Sequence, residues 1–239
     1  MTCARGRPTR AGRVGLSSYL PDATEGVPTG RYLSSANLPM ETVGHMEHLE
    51  LMDLFPQFLS ASPGEEPSPP QVRQSLKDPA RLREIAALRL TEPEVSHILN
   101  DICREASRAL KLSIGLVTIV LDEAQHFAAQ HGLGGWLEEA GGTPVEWSFC
   151  QFTVAGKQAF VVEDACTHAA VQRSPLVTQD GLRCYAGIPL ITSRGFAVGS
   201  LCVAGPDSHT FADGDLDVLR QYATEAMRRI ETRRVELRS

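Results

Sequence analysis

Apolar residues recur every three or four positions in two parts of the chain, on either side of a central region with a different pattern. The first part predicts two helices, over 79–88 behind an N-cap at Asp78 and over about 95–111. The second part predicts one helix, whose apolar stripe runs from 216 to 230 behind an acidic start. We therefore expect helices at both ends of one folded domain.

Between these helices the spacing becomes that of β-strands, rich in β-branched and apolar residues. The predicted strands are 113–123, 125–132, 159–165, 182–192 and 196–205. Residues 133–158 are irregular, with a short helix expected near 147–155. The last two strands are joined only by "SRG", which leaves no room for a crossover helix. The predicted fold class is α+β, a central antiparallel sheet of five to six strands with the N- and C-terminal helices packed on one face.

The first third of the chain has a different character. It is rich in proline, lacks sustained periodicity and ends in "SASPGEEPSPPQ". We interpret residues 1–77 as a largely disordered N-terminal extension, with a possible short amphipathic helix near 46–59. The folded domain is predicted to span 78–235.

The composition of the chain argues against several classes of function. The chain is 42% hydrophobic and 22% charged with a net charge of -6, so no basic signature points to nucleic acid. No apolar run is long enough for a membrane helix, and the N-terminus lacks the apolar core of a secretory signal. We therefore expect a cytoplasmic protein that binds neither nucleic acid nor membrane.

The cysteine and histidine spacing also bears on chemistry. Six cysteines are spread along the chain without C-x-x-C spacing, which favours reduced thiols over a disulfide framework. The histidines do not fall at the spacing of zinc motifs, so no metal is expected. Cys103 lies within a helical stripe and is interpreted as a small buried hydrophobe.

Several blocks occur together in the second half. They are "SFCQFTVAGKQAFVVEDA", "SPLVTQDGLRCYAGIPLITSRGFAVGSLCVAG" and "FADGDLDVLRQYA". In this order they resemble a GAF domain of the bacterial sensor type. The resemblance covers about 79–233 and rests on Ser148 and Cys150, Glu163-Asp164-Ala165, Tyr185 to Leu190, Gly199 to Val203, and Phe211 with Asp213.

The resemblance implies a sensory domain for signal transduction, with a small-molecule pocket between the sheet and its covering loops and no catalytic activity of its own. The terminal helices would form a homodimer and transmit the signal to a separate output protein. The arginines at 228, 229, 233 and 234 are interpreted as a solvated helix face. The ligand and any cofactor stay unidentified. The candidate ligand-binding residues are Phe149, Cys150, Phe152, Asp164, Cys166, His168, Arg183 and Tyr185.

Two thiol chemistries are alternatives. One branch of the family reduces free methionine sulfoxide with cysteines, and Cys150, Cys166 and Cys184 are the candidate set, although their placement differs from that branch. The other alternative is a thiol-based redox sensor at Cys150 or Cys166. Bilin and cyclic-nucleotide binding are disfavoured, because "CTH" separates cysteine from histidine and the asparagine-lysine-phenylalanine-aspartate signature is absent.

Alternation along the predicted hairpin 182–205 assigns its side chains to faces. Cys184 and Ala186 share one face of the strand, whereas Tyr185 takes the other. We interpret Cys202 as a buried part of the scaffold.

Overall fold

The computed structural model describes residues 69–236, and the helix predicted near 46–59 lies outside this range. The helices are α1 (Pro70–Leu76), α2 (Pro79–Leu88), α3 (Pro93–Ala109), α4 (Trp136–Ala140), α5 (Cys150–Gly156), α6 (Pro175–Thr178) and α7 (Asp213–Glu236). The strands are β1 (Ile114–Val120), β2 (Ala124–His131), β3 (Gly142–Pro144), β4 (Phe160–Val162), β5 (Cys184–Ile191) and β6 (Ala197–Gly205). Within residues 69–236, no helix is both long and apolar enough to cross a membrane.

The strands form one antiparallel sheet in the order β3-β2-β1-β6-β5-β4. The five predicted strands are all present, and β3 comes from the irregular segment. A turn joins β5 and β6 as a hairpin, with Tyr185 paired to Ala204 and Ala186 paired to Val203. The α+β fold class is confirmed.

The long helices cover one face of this sheet. Ala186 and Ile188 of β5 and Leu201 of β6 are buried there in a cluster with the apolar stripes of α2, α3 and α7. Cys103 of α3 lies in the same cluster and is fully buried, as predicted. These apolar stripes pack on the sheet of their own chain, so a dimer through the terminal helices would have to use the opposite faces of the helices. The dimer stays a prediction.

Helix α1 lies within the segment interpreted as disordered. Its Leu76 is buried in a second cluster, on the sheet face opposite to α3 and α7. The buried Arg81 of α2 donates hydrogen bonds of 2.5 Å to the carbonyl oxygens of Leu76 and Val120. Burial lowers the pKa of Arg81 to about 10, so the guanidinium stays charged at neutral pH. The hydrogen bond from Arg81 and the apolar contacts of Leu76 hold α1 against the domain. The folded part therefore begins before the predicted boundary at 78.

Of the four arginines that we expected to form a solvated face of α7, Arg228 is 64% exposed as predicted, whereas Arg229, Arg233 and Arg234 are not. Arg229 pairs with Asp101 of α3 at 2.8 Å, and Arg234 pairs at 2.9 Å with Glu84 of α2. Glu84 is fully buried and also pairs at 2.6 Å with Arg194, in the turn between β5 and β6. The prediction was wrong for these arginines, because their ion-pair partners lie on helices far away in sequence.

We predict that Glu84→Ala destabilises the fold by about 3 kcal/mol or more, because it leaves Arg234 largely buried without its carboxylate. The control is Arg194→Ala, which removes the other partner of Glu84. The Arg194 side chain is 60% exposed, so we expect a loss of about 1 kcal/mol or less. Equilibrium denaturant unfolding measures the free energy of unfolding of both variants. Equal losses would contradict the claim that the buried Arg234–Glu84 pair contributes more than the exposed Arg194–Glu84 pair.

Candidate functional site

The second core cluster lies on the sheet face that α5 and the loop 163–183 cover. Four of its side chains lie together there, those of Phe149 and Cys150 at the start of α5 and those of Tyr185 and Cys202 on the sheet. Each of the four is at most 3% exposed. These residues are therefore interior groups of the covered face.

Their polar atoms form a chain of contacts. The hydroxyl of Tyr185 donates to Cys150 Sγ at 3.2 Å, and Thr153 Oγ1 lies 3.1 Å from the same hydroxyl. On its other side, Cys150 Sγ lies 3.7 Å from Cys202 Sγ. We call Cys150, Thr153, Tyr185 and Cys202 the thiol–phenol cluster.

The surroundings of Cys150 change its acidity. Burial acts to raise the pKa of this thiol, but hydrogen bonds with Cys202, Thr118, Tyr185 and Ser148 stabilise the thiolate and lower the pKa from 9.0 to about 7. The pKa of Cys202 is raised well above its ordinary value by its hydrogen bond to Cys150 and by burial. Burial and the nearby Cys150 raise the pKa of Tyr185. Cys150 is therefore the more acidic thiol and Cys202 holds its proton.

Next to this cluster, three half-buried rings form a row towards the surface. The ring centroid of Phe160 lies 5.0 Å from that of Phe152 and 5.5 Å from that of His168. Phe160 also lies 6.1 Å from the ring of Tyr185. We call Phe152, Phe160 and His168 the ring row, and Tyr185 connects it to the thiol–phenol cluster.

A charged pair lies on the loop that carries His168. Arg183 donates from Nε and Nη2 to the two carboxylate oxygens of Asp164, at 3.1 and 3.0 Å. The backbone N–H of Cys166 also donates to this carboxylate, at 3.1 Å. The hydrogen bond from Arg183 holds the pKa of Asp164 below its ordinary value. Both side chains are about a quarter to a third exposed, so the pair lies at the surface of the loop.

The structure thus places the predicted site residues in connected groups. Phe149, Cys150 and Tyr185 are buried together, whereas Phe152 and His168 are joined through Phe160. Asp164 and Arg183 form the charged pair, and Cys166 packs partly buried beside the second cluster. The free thiols among residues 69–236 are those of Cys103, Cys150, Cys184 and Cys202, so the expectation of reduced cysteines fails for Cys166.

Sequence reasoning missed three residues of these groups. Cys202 was assigned to the scaffold, although alternation places it on the opposite face to Leu201, towards Cys150. Phe160 alternates with Val161 in the same way and could have been recognised by this period. Thr153 carried no signal, because its role depends on how α5 docks on the sheet.

Known proteins share this architecture. The chain forms an α+β domain with an antiparallel sheet, long helices on one face and a loop-covered second face. The family model for the GAF domain matches residues 94–230, more than half of the chain, and this chain belongs to the GAF domain family. The fold and the family predicted from the sequence are both confirmed.

Individual relatives agree with this assignment. A cyclic di-GMP phosphodiesterase of Pseudomonas aeruginosa is 31% identical over 157 residues, which are 65% of this chain and 26% of that protein. The chain thus spans about a quarter of the length of this relative. The GAF domain of a phosphoenolpyruvate-protein phosphotransferase from Coxiella burnetii matches with a TM-score of 0.51 at 17% identity, over 71% of this chain and 98% of that one. The GAF domain of such a phosphotransferase from Acinetobacter matches with a TM-score of 0.50 at 14% identity, over 72% and 99%. At these identities the two structures show the fold alone.

Gly187 allows Tyr185 to reach the thiol–phenol cluster. A Cβ atom at position 187 would lie 2.1 Å from the Tyr185 hydroxyl oxygen and 2.9 Å from Ser200 Oγ. We predict that Gly187→Ala destabilises the fold by about 1 to 3 kcal/mol, because it overpacks this site. In a Tyr185→Ala background most of that loss should disappear, as a double-mutant cycle by denaturant unfolding would measure. An equal loss in both backgrounds would show that Tyr185 is not what occupies the space.

Proposed function

We propose that this chain is a regulatory sensory module that binds a small molecule at the ring row and the Asp164–Arg183 pair, and that it has no catalytic activity of its own. The family supports a sensory role in general. The ligand chemistry comes from the side chains that reach the surface of the loop-covered face.

The ring row is the single observation that carries this proposal. The ring centroids of Phe152 and His168 lie 5.0 and 5.5 Å from that of Phe160, and all three rings are only half-buried, whereas the thiol–phenol cluster next to them is fully buried. Half-buried rings in a row favour a flat, apolar partner, because stacking and burial of the remaining exposed ring surface both stabilise the complex. The ligand class that fits is therefore a planar aromatic or heteroaromatic molecule.

The charged pair adds polar recognition at the same loop. Asp164 and Arg183 are preorganised by their double hydrogen bond and are both partly exposed. Their remaining hydrogen-bonding capacity suits the polar edge of a heteroaromatic ring. His168, which ends the ring row, lies four residues after Asp164 and combines a ring face with a polar nitrogen.

A regulatory role fits the relation to the Pseudomonas enzyme. The matched segment is 26% of that phosphodiesterase, so its catalytic activity is not transferred to this chain. We propose that this chain instead controls a separate output protein. Sulfoxide reduction has less support, since Cys150 faces Cys202, whereas Cys184 Sγ lies at the strand end beside Gly205 and Leu112.

Ligand binding can be tested on the purified full chain. Mass spectrometry of molecules released by denaturation would identify a co-purified ligand. Thermal unfolding would then be measured with that molecule and with purine and pyrimidine nucleotides, cyclic dinucleotides and free amino acids. We expect at least one planar compound to raise the unfolding midpoint, and we predict that Phe160→Leu weakens its binding about tenfold through the lost ring contact.

The matched control is Phe196→Leu, which removes a ring that packs against the helix-covered cluster. This variant should keep the affinity of the wild-type protein. The proposal fails if no compound co-purifies or shifts the midpoint, or if both leucine variants lose binding equally.

A further inference from the structure

Two thiols face each other across the interface between α5 and the sheet. Cys150 starts α5, Cys202 lies in β6, and their sulfur atoms are 3.7 Å apart with both residues at most 2% exposed. A disulfide bond is about 2.05 Å long, so the sulfurs need to approach by only about 1.7 Å. Side-chain rotation together with a small shift of the short helix can supply such a movement.

We propose that Cys150 and Cys202 form a reversible disulfide when the protein meets a hydroperoxide. This oxidation site goes beyond ligand binding at the ring row, since it uses buried groups that the proposed ligand does not touch.

The two thiols have different parts in this reaction. Cys150 is the attacking group, because the Tyr185 hydroxyl donates to its sulfur and stabilises the thiolate. Its pKa of about 7 leaves a large thiolate fraction at neutral pH. Cys202 keeps its proton and lies in contact with Cys150, which is the arrangement that a resolving thiol requires.

The reaction balances with peroxide as the only oxidant. The Cys150 thiolate attacks one peroxide oxygen, the O–O bond breaks, and the products are the sulfenic acid of Cys150 and hydroxide, which takes the proton lost by the thiol and becomes water. The Cys202 sulfur then attacks the Cys150 sulfur, and the S–O bond breaks. The hydroxyl leaves with the Cys202 proton as a second water. Two thiols lose two electrons in total, and one hydrogen peroxide gains them.

Peroxide can reach this site through local opening of α5. This helix has seven residues, and a helix of that length is not stable without its packing contacts. Hydrogen peroxide is small enough to enter during such openings. The other free thiols are less suited, because burial raises the pKa of Cys103 to about 12 and that of Cys184 to about 11.

The disulfide would change the face that carries the ring row. It joins residues 52 positions apart and ties α5 covalently to the centre of the sheet. As Cys150 turns towards Cys202, the hydrogen bond from the Tyr185 hydroxyl to Cys150 Sγ breaks. Tyr185 packs against Phe160, so oxidation is transmitted to the ring row.

The experiment uses the full chain without any added ligand. Protein is treated with hydrogen peroxide at pH 7, and the remaining thiols are alkylated with iodoacetamide in denaturant before digestion with trypsin. Trypsin releases Cys103, Cys150, Cys184 and Cys202 on four different peptides, since lysine or arginine separates each pair. We expect a peptide pair 112–157 and 195–220 joined by a disulfide that dithiothreitol reverses.

Two variants make the test specific. Cys184→Ser removes a buried thiol on the neighbouring strand and should leave the cross-link unchanged. Tyr185→Phe keeps the ring and removes the hydrogen-bond donor, so we expect the thiol pKa to rise by about one unit and the cross-link to form about fivefold more slowly at pH 7, in proportion to the smaller thiolate fraction.

The proposal is overturned if wild-type protein stays fully alkylated at Cys150 and Cys202 after peroxide treatment while it remains folded. It is equally overturned if the two residues become linked only in denaturant, which would show two inert buried thiols. Because no ligand is present, either result leaves ligand binding at the ring row to be judged by its own test.

Discussion

Strand β6 is buried at every position from Ala197 to Gly205, and the rest of the domain depends on this constraint. A central strand with no solvent-exposed side requires cover on both faces of the sheet. One face receives α2, α3 and α7, whose apolar stripes and ion pairs fasten the two ends of the domain together. The other face receives the short helices α1 and α5 and a long loop, whose buried apolar cluster has fewer residues than the one under the long helices.

The two proposals assign different tasks to these faces. The helix-covered face combines long helices with a fully buried carboxylate, Glu84, so it is suited to hold the fold. The loop-covered face holds the polar atoms of the thiol–phenol cluster and the half-buried ring row. Segments with fewer apolar contacts open more readily, which is what ligand entry and thiol oxidation both require.

Much of the fold could be predicted because its signals are local. Period-two alternation placed Ala186 and Tyr185 on opposite faces, and the structure confirms it. The helices at both ends followed from their apolar stripes. The contact between Cys150 and Cys202 could not be predicted, because it depends on how α5 docks after the irregular segment 133–158. Glu84 gave no signal either, since its partner Arg234 is 150 residues away.

Tyr185 is the side chain through which the two proposals meet. It contacts Cys150 with its hydroxyl and Phe160 with its ring, and it fits only because Gly187 lacks a side chain. The proposed oxidation of the buried thiols and the proposed ligand at the surface would therefore act on one residue. Such a shared contact can couple redox state to ligand affinity within a regulatory domain.

We expect the helix-covered face to be stable and the loop-covered face to open locally. Hydrogen–deuterium exchange of the reduced and peroxide-treated protein tests this difference most directly. In the reduced protein, amides of α5 should exchange much faster than those of α3, and oxidation should slow exchange in α5 and the loop 163–183 while α3 and α7 stay unchanged. Equal protection of α5 and α3 in the reduced protein, with changes spread over both faces on oxidation, would contradict it.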